Sequence, residues 1–161
     1  MLSKVRLYGA GDDDRTIFYT AFFRTLQFPR EFSEYGRYYS PFDGRIHDGV
    51  SYTAFSLWDT FRAEHPWLQL VASERVNDMV TALVQMYEQG GWIPKWPNPT
   101  YTNIMIGTHA DAVIADAYVN GMSKRPIGPY ARMPTCLRST TIPRRGATVP
   151  CGTGSMRRAA A

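Results

Sequence analysis

The residues whose types and spacing best fit chemistry lie in the run Phe55-Ser-Leu-Trp-Asp-Thr-Phe-Arg62. A carboxylate, Asp59, and a guanidinium, Arg62, sit among Phe55, Trp58 and Phe61. Charges among large apolar side chains cost desolvation energy unless something compensates them. One compensation is structural: Asp59 and Arg62, three residues apart, can pair on one helix face. The other is a sugar pocket, in which the Trp58 indole offers an apolar platform to a pyranose face and Asp59 accepts hydrogen bonds from its hydroxyls. Composition and spacing alone favour the structural pair, because ion pairs also arise for purely structural reasons.

Other candidates cluster later in the chain. Trp92-Ile-Pro-Lys-Trp96-Pro-Asn-Pro99 contains three prolines, which exclude helix and central strand and leave two indoles on a stiff loop. Trp96 reads equally as a sugar platform and as a cap on the helical core; Trp92 reads as core. His109 opens a helix beside the loop that carries Trp96 and Asn103, so His109 and Asn103 join the pocket candidates. Asp111 reads as a favourable charge in that helix's first turn. His65 reads as structural, and Arg37 and Asp43 either pair with each other or touch ligand.

The run from Phe55 to Arg62, followed by Glu64-His-Pro66, resembles the catalytic domain of glycoside hydrolase family 92, the calcium-dependent exo-acting alpha-mannosidases. Further segments carry the likeness in the same order: Ile17-Phe-Tyr-Thr-Ala21, Gly36-Arg-Tyr-Tyr39 with Asp43-Gly44, Gly91-Trp-Ile-Pro-Lys-Trp96, and Met105-Ile-Gly-Thr-His-Ala110 followed by Ile114-Ala-Asp-Ala-Tyr118. The likeness spans about residues 1–121. It implies inverting hydrolysis of terminal alpha-mannosides of glycans, with a general acid and a water-activating base set apart. It also implies a calcium ion that binds mannose hydroxyls through oxygen ligands. It matches Asp59 and Trp58 to the terminal-mannose pocket, with Trp96, Asn103 and His109 as further substrate-binding candidates. The family's acid, its base and most of its calcium ligands fall in segments that have no copy here. The chain is therefore expected to bind sugar weakly and to turn over nothing. A non-catalytic carbohydrate-binding or helical scaffold fragment is the alternative.

Four helices must position these groups. Asp12-Asp-Asp14 followed by Phe18, Tyr19, Phe22, Phe23 and Leu26 predicts a helix over 13–27. Ser51 is expected to cap a second over 51–63 that Pro66 ends, and Ser73 a third over 74–88 that Gly90-Gly91 stops. The fourth runs from 105 or 108 to 120. Residues 29–50, broken by Pro29, Gly36, Pro41, Gly44 and Gly49, read as an aromatic-rich binding loop. These features give an all-α expectation, and the family likeness makes it part of an (α/α)6 barrel, which in the family stands behind a β-sandwich.

The 161 residues divide sharply by charge. Residues 1–121 hold ten basic and fourteen acidic side chains; residues 122–161 hold eight basic and none acidic. The second segment also lacks apolar periodicity and reads as a disordered basic tail that departs from the family. Its single aromatic residue, Tyr130, argues against nucleic acid as a specific partner. Cys136 and Cys151 fit no zinc spacing and no disulfide framework. No apolar stretch is long enough to cross a bilayer, and the N-terminus lacks the core of a signal peptide. The compartment of this chain is left open, although members of the family are often secreted.

Overall fold

The structure, a computed structural model, describes residues 1–102 and 104–123. The expected basic tail beyond residue 123, with both cysteines, and the candidate Asn103 lie outside the described residues. A short 3-10 turn, Leu2–Lys4, precedes helix α1, Asp12–Thr25. Four short strands follow: β1 Arg30–Glu31, β2 Arg37–Ser40, β3 Arg45–Asp48 and β4 Tyr52–Thr53. Helices α2 Leu57–Thr60, α3 Glu64–Val71, α4 Ser73–Gly90 and α5 His109–Val119 complete the order.

Helix α4 is the axis of the core. Val76, Met79, Val80, Leu83, Val84 and Met86 are buried along it, against Leu68 and Val71 of α3 and Ala110, Val113, Ile114 and Ala117 of α5. The small residues of α5 allow close approach of its backbone. Gln69 of α3 donates to Asp116 of α5 at 2.5 Å and accepts from Asn120 at 2.9 Å, so the polar ends of this contact are satisfied. Phe22 of α1 joins the same core, while Phe18, Tyr19 and Leu26 pack partly against it. Phe23, from the same predicted stripe, is exposed.

The all-α expectation is corrected to helices with two small antiparallel sheets. One pairs β1 with β4, Arg30 opposite Thr53; the other pairs β2 with β3, from Arg37–Asp48 to Ser40–Arg45. Residues 29–50 are therefore a hairpin and strand edge rather than loop. In β2 the side chains alternate, with Tyr38 and Ser40 buried and Arg37 and Tyr39 exposed. Gln89 of α4 donates to the Tyr38 hydroxyl at 2.6 Å and ties this hairpin to the core.

The second helix is corrected too. Residues 51–53 are buried and extended, and Ser51 does not cap a helix: its carbonyl accepts the Phe32 N–H at 2.8 Å. Only Leu57–Thr60 is helical there. Pro66 does not end it; it sits in the first turn of α3, where no intrahelical amide donor is needed. Ser73 is the first residue of α4, not its cap, and makes no capping hydrogen bond. Gly91, at φ 84°, supplies the expected left-handed stop.

Candidate functional site

Asp59 stands in the single turn of α2, directly after an extended segment pinned at both ends. Thr53 pairs with Arg30, and the Ala54 amide donates to the Pro97 carbonyl at 2.9 Å. That second bond brings the proline-rich loop, residues 92–99, onto the start of α2. The loop is braced from its far side by Tyr101 and Thr102. The Tyr101 hydroxyl lies 2.6 Å from the Trp92 carbonyl, and the Thr102 hydroxyl donates to the Trp96 carbonyl at 2.6 Å. Burial pushes the Tyr101 phenol well up, so it stays a neutral donor.

The result is a short hydrogen-bond chain. The Trp96 indole N–H donates to Ser56 Oγ at 2.7 Å, and the Ser56 hydroxyl donates to Asp59 Oδ2 at 2.5 Å. Trp96, forty residues away in sequence, thus orients the serine that orients the carboxylate. Asp59 Oδ1 is left without a protein partner among the described residues. Arg62 does not pair with Asp59: its guanidinium lies over the Phe61 ring, 5.1 Å from the centroid. The structural ion pair offered by the spacing is therefore not formed.

His109 stacks on Phe61, with ring centroids 4.1 Å apart and planes within 3°. Its Nε2 is buried without a hydrogen-bond partner among the described residues, and a Cβ on Gly107 would approach it to 2.6 Å. His109 is thus linked to Asp59 through Phe61, the residue that caps the end of α2, rather than by direct contact. Trp58 is 43% exposed, and the Asp59 carboxylate takes its hydrogen bond from Ser56 instead. Asp116, which shares a face with His109, is taken up by Gln69 and Asn120. Asp111, in the first turn of α5, has its carboxyl raised by burial. Arg37 and Asp43 do not pair: Arg37 meets Asp48 at 3.3 Å and Asp43 meets His47 at 2.8 Å.

Asp59 also borders an open groove of about 480 Å³ walled by Phe18, Phe22, Ala63, Glu64 and Trp67. The motif that carries Asp59 also contains Glu64, whose environment only the structure reveals. Burial against this apolar wall pushes the Glu64 carboxyl up to about 7, and its Oε1 is buried without a partner among the described residues. Two carboxyl groups in one groove therefore differ in environment. The sequence signal was a lone Glu beside an apolar run, with nothing to show that α1 would fold across it. The neighbouring His65 is buried against Phe55 and held down to about 4, a neutral core histidine.

Calcium takes six to eight oxygen ligands. Among the described residues no three His, Cys, Asp or Glu side chains converge as metal ligands.

A model of the glycosyl hydrolase family 92 catalytic domain matches residues 1–141. The chain belongs to glycosyl hydrolase family 92. Among solved structures, the inverting family GH92 mannosidase BT2199 of Bacteroides thetaiotaomicron superposes with a TM-score of 0.75 at 36% identity. It is matched over 78% of this chain and 18% of its own. The family GH92 alpha-mannosidase BT3965 of the same organism gives a TM-score of 0.73 at 32% identity, again over 78% of this chain and 18% of its own. A complex of BT3965 with mannoimidazole gives 0.71 at 32% identity. No functionally curated protein matches the chain. The chain thus spans less than a fifth of the length of the solved family 92 enzymes.

Proposed function

We propose that this chain is a segment of an alpha-mannosidase catalytic domain that hydrolyses terminal alpha-mannosidic bonds of glycans with inversion. Membership of family 92 carries the reading, and the solved relatives support it: both are mannosidases, one is described as inverting, and one holds mannoimidazole. In this reading the segment supplies the first helices of an (α/α)6 barrel and one wall of its sugar pocket.

Asp59 is the group that grips the terminal sugar. Its Oδ1 accepts hydrogen bonds from sugar hydroxyls while Ser56, held by Trp96, keeps Oδ2 in place. Trp58, the exposed chain neighbour of Asp59, supplies the apolar platform, and His109 and Asn103 are the weaker contributors. The general acid, the base and most calcium ligands belong to the remainder of the catalytic domain. The chain alone is accordingly a weak sugar binder without turnover.

The test is a mannose titration of the 161-residue chain followed by tryptophan fluorescence, repeated with Asp59→Ala and Ser56→Ala. Saturable binding is expected for the parent chain. Asp59→Ala should abolish it, and Ser56→Ala should weaken it by about tenfold, the loss of one hydrogen bond to a charged group. Equal affinity of the parent chain and Asp59→Ala would remove the assignment.

A further inference from the structure

The tight turn that leads into β2, closed by the bridge between Glu34 and Arg37, carries an expense that packing does not explain. Glu34 and Arg37 exchange both backbone hydrogen bonds, at 2.8 and 3.0 Å, around a two-residue turn, Tyr35-Gly36. Both turn residues have positive φ, 51° and 73°, the pattern of a type I′ turn. Such a turn favours Asn or Asp before Gly, because a bulky side chain at positive φ is strained. Here the position holds a tyrosine whose ring is fully exposed, at 101% of its reference area. Tyr35 therefore accepts backbone strain and buries nothing in return. Strain of this kind, held in place by the Glu34–Arg37 bridge, clusters at functional positions.

The surroundings indicate what the ring meets. Tyr35, Tyr39 and Ile46, all exposed, border an open groove of about 680 Å³ together with Glu31, Glu34 and Arg37. That volume lies within the roughly 300–1,000 Å³ of small-molecule sites. Arg37 is matched by Asp48 at 3.3 Å, so the two glutamates leave the groove negative and disfavour anionic ligands. Flat rings beside hydroxyl-accepting carboxylates suit a neutral ligand with apolar ring faces and many hydroxyls.

We propose that the face made by this turn and the adjoining β2–β3 hairpin binds the sugars of a neutral oligosaccharide beyond its terminal residue, with Tyr35 as the stacking platform. The proposal rests on the reading of Asp59 as the grip on the terminal sugar. It assigns the hairpin to a different part of the same substrate.

The experiment compares methyl alpha-mannoside with a linear alpha-linked mannotriose by calorimetric titration of the 161-residue chain and of Tyr35→Asn, Tyr35→Phe and Asp59→Ala. The triose is expected to bind more tightly than the monosaccharide. Tyr35→Asn should raise Tm, because asparagine suits the turn, yet lower triose affinity by about three- to tenfold and leave the monosaccharide unchanged. Tyr35→Phe should keep triose affinity. Unchanged triose binding in Tyr35→Asn, or no gain from the added sugars in the parent chain, overturns the hairpin's role while Asp59 stands on its own variant. A lower Tm for Tyr35→Asn overturns the strain argument, and absence of binding by either sugar overturns both assignments.

Discussion

Replacing Glu64 by glutamine should make the chain more stable at pH 8 and leave it unchanged at pH 4. The apolar groove lifts the Glu64 carboxyl from 4.5 to about 7, so the folded chain holds this proton more tightly than the unfolded chain does. Stability is then undiminished below about pH 4.5 and falls as pH rises towards 7, where the fold must accommodate a charge it solvates poorly. The full gap corresponds to about 3 kcal/mol. Because the carboxyl is only half-buried, solvent screening reduces this to about 1–2 kcal/mol. Glutamine removes the charge and keeps the shape, so its advantage at pH 8 should be of that size, or about 2–8 °C in Tm. Urea unfolding followed by circular dichroism, at pH 4, 6 and 8 for both chains, measures it. A difference that does not vary with pH, or a less stable variant at pH 8, would refute the burial argument.

Two further outcomes follow from neighbouring groups. His65 is held down to about 4, so the folded chain binds this proton less well than the unfolded one. Stability should therefore fall as pH drops from 6.5 through 4, by up to about 3 kcal/mol, and His65→Gln should flatten that limb in the same urea series. Gly90→Ala should destabilise by about 1–3 kcal/mol, since its Cβ would approach the braced Tyr101 hydroxyl closely. Within a helix the same change ordinarily stabilises, so the sign of the shift in urea midpoint decides the matter.

Long periodic elements were legible from composition. The apolar spacing of Val76, Met79, Val80, Leu83, Val84 and Tyr87 announced α4, and Gly91 its end, because a 3.6-residue period held over about three turns leaves little ambiguity. Short elements were not. Four-residue strands such as Arg37–Ser40 show too few alternations to outweigh Gly and Pro on either side. Pro66 illustrates a second failure: a proline ends one helix or opens the next, and only backbone geometry distinguishes the two. For the site, the motif around Asp59 was visible, while the Trp96–Ser56–Asp59 chain was not, since nothing local links residues forty apart. Nor was the groove shared by Asp59 and Glu64, which exists only because α1 lies across α3.

By itself, then, the sequence determined the family, through motifs in a set order, and the core helix, through periodicity. Tertiary structure decided the partners of several charged groups: Asp59 went to a Ser56 held by the distant Trp96 rather than to Arg62, Arg37 to Asp48, and Asp116 to Gln69. The physical reason is the range of the information. Helical amphipathicity and turn strain are properties of a few consecutive residues. Hydrogen-bond partners and desolvation depend on which distant segments are brought within about 3 Å, and that is a property of the packed chain alone.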